Sequence, residues 1–268
     1  FTSGATEALH LVLDSFEAER PLLSPDGEGV QPSLIVSAVE HDAVYEHAKR
    51  RSPLRAPVLS NGAVDLGVLE AVLREAPKPA LLALQLANNE TGIIQPIAKV
   101  AALCRQHGAL LLVDAAQAFG RIPVSIADLD ATYLVLSSHK IGGPPGAGAL
   151  VLAPGAPFAS TRFGGGQERG RRPGTENMPA IVGFAVAAEW AAREMAGEAR
   201  RVAAMRDRFE AGLPEDAVVF GSRTAGVLAG GDADGPRLPN TSNFAIPGFV
   251  AETAVIAMDL EGVAISSG

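Results

Sequence analysis

A single cysteine, Cys104, is all the sulfhydryl chemistry this chain carries, which excludes an internal disulfide framework and fits a reducing cytosol. No apolar run approaches the roughly 18 to 20 residues that a bilayer span requires. The opening Phe1-Thr2-Ser3-Gly4 has neither a basic n-region nor a signal-peptide pattern, and it lacks an initiating Met, so the expectation is a fragment of a longer protein. Positive charge is scarce, with 22 Lys+Arg against 30 Asp+Glu and a net charge of −8 spread along the chain, which argues against direct nucleic-acid binding and against an anionic membrane surface. Internal repeats and heptad runs are absent. What is present is 47% apolar residues and 29 glycines in 268 positions, enough for one large core with a smaller unit attached. The expectation is a soluble, globular, cytoplasmic protein.

Short apolar runs recur at Leu34 to Val36, Ala80 to Leu86, Ala109 to Val113, Tyr133 to Leu136 and Ala147 to Leu152. Helix-like segments separate several of them: Thr6 to Glu19 places Leu9, Val12, Leu13 and Phe16 on one face, and Ile97 to His107 repeats the pattern. Strands buried on both faces and joined by such helices predict an α/β fold with a mostly parallel sheet and right-handed crossovers. Beyond Lys140 the rhythm changes to glycine-rich loops and then to helical patterns over Thr175 to Met195 and Glu198 to Leu213. A Gly/Asp/Pro-rich stretch, Gly226 to Pro239, precedes a short strand at Ser242 to Ile246 and a helix at Ala251 to Leu260. A domain boundary is expected near Met195, dividing residues 1–194 from 195–268.

Three polar residues follow consecutive predicted strands: Asn89, Asp114 and Lys140. In an open α/β sheet, ligands bind at the carboxyl edge, where such residues converge. An amine, a carboxylate and an amide there suit pyridoxal phosphate, which needs a covalent lysine anchor and an acidic partner for its ring nitrogen. Ser3-Gly4-Ala5-Thr6 opens the first helix, and its N–H groups with the Thr6 hydroxyl form a cradle for the phosphate, closed by Ser137 and His139.

Plainer readings stand beside these. Asp114 with Gln117 makes a capping-box-like pair, and His41 could cap the helix Asp42 to Arg51. His10, His47 and His107 read as helix-face residues, with no pair at metal-ligand spacing with a carboxylate, so no metal is expected. Cys104 reads as a small buried apolar residue. Gly142-Gly143-Pro144-Pro145-Gly146 lacks the lysine-serine ending of a nucleotide loop. Glu189 to Arg208 reads as a solvated helix face.

Taken together, Phe1-Thr2-Ser3-Gly4-Ala5-Thr6-Glu7, Glu40-His41, Asn88-Asn89-Glu90-Thr91-Gly92, Val113-Asp114-Ala115-Ala116-Gln117, Ser137-Ser138-His139-Lys140 and Arg172-Pro173-Gly174-Thr175-Glu176-Asn177 resemble the cysteine desulfurases. These are fold-type I, class V aminotransferase-like pyridoxal phosphate enzymes, and the resemblance runs over nearly the whole chain. It implies a three-layer α/β/α cofactor domain with part of a smaller α+β C-terminal domain. It also implies roles: Lys140 anchors the cofactor and shuttles the substrate α-proton, Asp114 pairs with the pyridine nitrogen, and Gln117 bonds the ring 3-oxygen. His41 would stack on the ring and assist proton transfer, and Asn89 would orient the ring substituent or substrate. Ala5, Thr6, Ser137 and His139 would hold the phosphate, while Thr175, after the basic Arg169-Gly170-Arg171-Arg172, would reach the phosphate of the other subunit of a homodimer.

The activity so implied converts L-cysteine to L-alanine and leaves a protein persulfide, for delivery to a sulfur-acceptor or iron–sulfur scaffold protein or to tRNA thiolation. In that family the persulfide cysteine follows a segment like Gly262 to Gly268, so the expectation is that it lies beyond this chain's last residue, along with an arginine for the substrate carboxylate. Other class V enzymes, such as a selenocysteine lyase or a small-molecule aminotransferase, would share Lys140, Asp114 and His41, and a non-catalytic scaffold is the alternative from another class.

Overall fold

A computed structural model describes residues 1–18, 22–23, 29–30, 32–221 and 236–267. Most of the glycine-rich stretch expected at Gly226 to Pro239 lies outside the described residues, as does the last residue of the first predicted helix, Glu19. Helix α1 (Ala5–Ala18) is followed by a short antiparallel pair, β1 (Leu22–Leu23) and β2 (Gly29–Val30). Then come β3 (Ser33–Ser37), α2 (Asp42–Ala48), β4 (Leu54–Ala56), α3 (Leu66–Glu75), β5 (Ala80–Gln85), α4 (Ile97–Gln106), β6 (Ala109–Asp114), β7 (Tyr133–Ser137) and β8 (Gly148–Leu152). The long helix α5 (Met178–Glu210) leads to β9 (Val218–Val219), β10 (Phe244–Ala245) and α6 (Ala251–Leu260).

Strands β3 to β8 form a six-stranded sheet in the order β4-β3-β5-β6-β7-β8. Every pairing is parallel except that of β7 with β8. The predicted runs become strands because both of their faces are covered. Along β5, Leu82 and Leu84 join one apolar cluster, with Leu69 and Leu73 of α3, Val100 and Cys104 of α4 and Phe184 of α5. Leu81 and Ala83 join the other, with Leu9, Val12 and Phe16 of α1 and Val44 of α2. Alternation thus sends successive residues into two helical layers and gives the three-layer α/β/α arrangement. The edge strand β4, with Leu54 and Arg55 exposed, has no such signature.

From β3 the chain steps outward to β4 and then returns to the other side of β3 as β5, so the winding reverses at the carboxyl ends of β3 and β5. Such a reversal opens the crevice in which doubly wound sheets bind ligands.

Two sequence expectations are revised. The helical patterns flanking Met195 form one continuous helix, because Gly197 amid alanines costs only about 1 kcal/mol relative to Ala and breaks nothing. At its start, Asn177 Oδ1 accepts from the Ala180 N–H at 3.3 Å, so the helix begins at Met178 rather than Thr175. Histidine and carboxylate also meet where no pairing was expected: His47 Nε2 lies 2.9 Å from Asp14 Oδ1, and Nδ1 lies 3.6 Å from Glu17 Oε1. Arg51 Nη2 approaches Glu17 at 3.4 Å, so positive charge already faces this α1–α2 contact. The pairing spans 33 residues of sequence, beyond the reach of a local spacing rule.

Candidate active site

The carboxyl ends of β3, β5, β6 and β7 and the N-terminus of α1 enclose a cavity of about 410 Å³, a size suited to a small ligand. Ala5, Thr6, His41, Asn89, Asp114, Gln117, Ser137, His139 and Lys140 all line it. Thr175 does not; it borders a neighbouring cavity of about 240 Å³ with Ser3, Gly146 and Arg172.

After β3 a short turn, residues 38–41, leads into α2, whose cap is His41: Nδ1 accepts from the Ala43 N–H at 3.0 Å. The capping reading and the site reading therefore hold together. With Nδ1 used as an acceptor, a neutral ring carries its proton on Nε2.

At the end of β5, Asn88 Oδ1 accepts from the N–H groups of Glu90 at 3.0 Å and Thr91 at 2.8 Å and from the Thr91 hydroxyl at 3.0 Å. The turn that presents Asn89 is fixed in this way. Gln85, the last residue of β5, is buried and also lines the cavity. Sequence reasoning passed over it, although a polar residue closing an otherwise apolar strand was the available signal.

Asp114 closes β6. The residue is 8% exposed, and its carboxylate accepts from the Ala116 N–H at 2.9 Å. Residues 116–121 form turns rather than the helix that an N-cap would require. Burial pushes the Asp114 carboxyl above its usual range, while the Ala116 N–H bond and the nearby His41 and Lys140 act in the opposite direction.

After β7, the Ser137 hydroxyl lies 3.1 Å from His139 Nδ1, and a single 3₁₀ turn, His139–Ile141, presents the exposed Lys140. Arg121, which sequence reasoning also missed, holds this turn in place. Its guanidinium donates to the Lys140 carbonyl at 3.0 Å and to the Gln117 carbonyl at 2.5 Å, tying two cavity-lining residues together through their backbones. The loop 142–146 serves packing as well, because β8 then runs against the α1 cradle. A Cβ on Gly148 would sit 2.6 Å from the carbonyl carbon of Gly4.

The cradle is braced by Glu7. Its carboxylate accepts from the Ser3 N–H at 2.6 Å, from Arg162 at 2.9 Å and from Arg172 through two bonds of 3.2 Å. Burial works to raise the Glu7 pKa, but the Ser3 and Arg172 interactions outweigh it and leave the carboxyl below its usual value. The donor set fits pyridoxal phosphate: a helix N-terminus with hydroxyls for the phosphate, a buried carboxylate for the ring nitrogen, and an amine on the wall beside it.

The chain matches the family described as aminotransferase class-V over residues 1–268. It is 39% identical to a cysteine desulfurase of Cereibacter sphaeroides, covering 100% of this chain and 65% of that protein. It is 36% identical to one of Gluconacetobacter diazotrophicus, of which it spans 64%. Among solved structures, a NifS-like protein from Rickettsia africae superposes with a TM-score of 0.87 at 30% identity, covering 100% of this chain and 69% of that one. The chain therefore spans about 65% of the curated relatives it matches. With a mostly parallel sheet, a strand-end site and a match that extends from its first residue to its last, this chain belongs to the class V aminotransferase family, whose members use pyridoxal phosphate.

Proposed function

We propose that this chain is the cofactor-binding part of a cysteine desulfurase, acting on L-cysteine to give L-alanine and a protein persulfide. The observation that carries this reading is the meeting of Lys140, Asp114 and the α1 N-terminus around one cavity, in a chain whose full length aligns with proteins named cysteine desulfurase.

Pyridoxal phosphate, when bound, supplies an electron-withdrawing ring that stabilises negative charge at the substrate Cα. Lys140 would hold it through Nζ, and the Lys140 amine would be the base that removes and returns the substrate Cα proton. Asp114 holds a proton on the ring nitrogen, with its charge favoured by that partner. Gln117 and Asn89 orient ring and substrate by hydrogen bonds. His41 would lie against the ring, and its Nε2–H would be the group available for proton transfer. The N–H groups at Ala5 and Thr6, with Thr6, Ser137 and His139, bind the phosphate.

Sulfur transfer needs a thiolate, and Cys104 is unsuited to it. The residue is buried in the α4 layer, and burial pushes its pKa up to about 12. The acceptor cysteine accordingly belongs to another segment or another protein, and an iron–sulfur scaffold or a sulfur carrier is the downstream partner we infer. A cytoplasmic location is the one we infer, in keeping with a single buried cysteine; among the described residues, no helix is long and apolar enough to cross a membrane.

We assign residues 1–194 to the cofactor domain and 195–268 to part of a smaller one, a division that falls within α5; the separate β9–β10 pair and α6 lie on its C-terminal side. A homodimer is the assembly we infer, with Thr175 completing the phosphate site of the second copy, since Thr175 lies outside the cavity of its own chain. The test is reconstitution with pyridoxal phosphate. Wild-type protein should show a visible absorption band that Lys140→Ala abolishes, and L-cysteine should yield alanine when a thiol acceptor is supplied. A wild type that stays colourless refutes the cofactor assignment; a coloured enzyme that makes no alanine refutes the desulfurase assignment.

A further inference from the structure

A second buried carboxyl group lies beside the cavity, and none of the roles above falls to it. Glu40 precedes His41, the cap of α2. Its Oε1 accepts from the Ser37 hydroxyl at 2.5 Å and from the Gln85 N–H at 3.0 Å, bonding the His41 loop to the ends of β3 and β5. The same loop is bonded again next door, where the Val39 carbonyl accepts from the Gln85 side chain and from Asn88 Nδ2 at 3.2 Å. Gln85 in turn pairs with Asp114 across β5 and β6.

The residue as a whole is part-exposed, yet Glu40 Oε2 is sealed from solvent and has no hydrogen-bond partner. The charged group acting on it is Asp114, which is of like sign. His41 and Lys140 act on Asp114 instead. A carboxylate in this setting would combine an unsolvated negative charge with repulsion from Asp114, and both are relieved by a proton.

We propose that Glu40 is a positioning residue: a neutral carboxyl group that fastens the His41 loop to the strand ends and leaves Asp114 to carry the negative charge on that wall of the cavity. Burial, the largest effect, pushes Glu40 up to about 8, with Asp114 adding in the same direction against the Ser37 and Gln85 hydrogen bonds. The folded state therefore keeps this proton after the unfolded chain has lost it. The stabilisation linked to Glu40 is full below its ordinary value of 4.5 and is lost progressively as pH rises to about 8. Above that, a second negative charge stands beside Asp114.

The arrangement around Glu40 is a property of the cofactor-free chain, whereas the purpose of holding His41 and Asp114 rests on the function proposed above. Thermal unfolding of the cofactor-free full chain, wild type against Glu40→Gln, should give midpoints that diverge as pH rises from about 5 to about 8 and run parallel above it. With pyridoxal phosphate bound, Glu40→Gln should keep the visible band but lose its pH-dependent change near neutrality, and Glu40→Ala should bind the cofactor about tenfold more weakly. If Glu40→Ala fails to fold, the wild type and Glu40→Gln comparison still decides. Parallel midpoints throughout, or an unchanged pH response of the band, would overturn the role of Glu40. A wild type that never colours would instead overturn the function proposed above while leaving the unfolding comparison valid.

Discussion

Removing the Glu7 carboxylate should loosen the phosphate cradle and the loop leading to Thr175 together, and a double-mutant cycle can measure that coupling. Glu7 sits in the first turn of α1 with its side chain 10% exposed, and Arg172 is 22% exposed. The two Arg172 bonds and the Ser3 N–H bond are all charge-assisted, and such bonds contribute about 1.5 to 3 kcal/mol each in net terms. The Arg162 contact counts for less, because that side chain is 44% exposed and screened by water. Losses from shared partners do not add, so Glu7→Ala should cost about 3 kcal/mol and Arg172→Ala about 2 kcal/mol. At about 2 to 4 °C per kcal/mol for a chain of this size, Glu7→Ala lowers the unfolding midpoint by about 6 to 12 °C. The double variant should cost little more than Glu7→Ala alone, giving a coupling of about 2 kcal/mol in denaturant titrations. Additive costs would refute the network. The pH response provides a second check. Because the folded-state pKa of Glu7 is lowered, its contribution is present above the ordinary value of 4.5 and is lost as pH falls through the folded value, an acid limb that Glu7→Gln should remove.

Cys104, with its thiol pushed up to about 12 by burial, should resist alkylation at pH 8 in the folded chain and react only on unfolding; rapid labelling under native conditions would contradict its place in the α4 layer. Met178, Val182, Val186 and Trp190 form an exposed apolar stripe at four-residue intervals along α5, in line with a covering second copy. Val186→Asp should therefore shift sedimentation from dimer to monomer, and an unchanged sedimentation profile would exclude this stripe from the interface.

How much of this was legible in the sequence depends on how local each signal was. β5, β6 and β7 were readable because burial on both faces turns a strand into an unbroken apolar run. β4 was not readable, since an edge strand of three residues with two of them exposed carries no pattern. Asp114 and Lys140 stood out as polar residues placed where apolar runs stop. Glu40 stood equally close to one of those runs but gave no sign of its role, because its burial is produced by Ser37, Gln85 and Asp114, and two of these lie far along the chain. Arg121 was hidden for the same reason: its partners are backbone carbonyls, which sequence does not distinguish.

The two carboxyl groups beside the cavity differ in what surrounds them, and that difference supports the assignment of chemistry to one and position to the other. Burial raises both, but Asp114 lines the cavity and has His41 and Lys140 to offset the cost of its charge, whereas Glu40 has only neutral donors and Asp114 itself. A ligand that brings a protonated ring nitrogen to Asp114 replaces lost solvation with a charge-assisted hydrogen bond, and so relieves a cost the empty protein bears. Had Glu40 also been ionised, the same ligand would meet two negative charges, the empty site would be less stable, and a free cation would compete more strongly for it. Under the function proposed above, keeping one carboxyl neutral would let this wall favour a singly cationic ring beside Asp114.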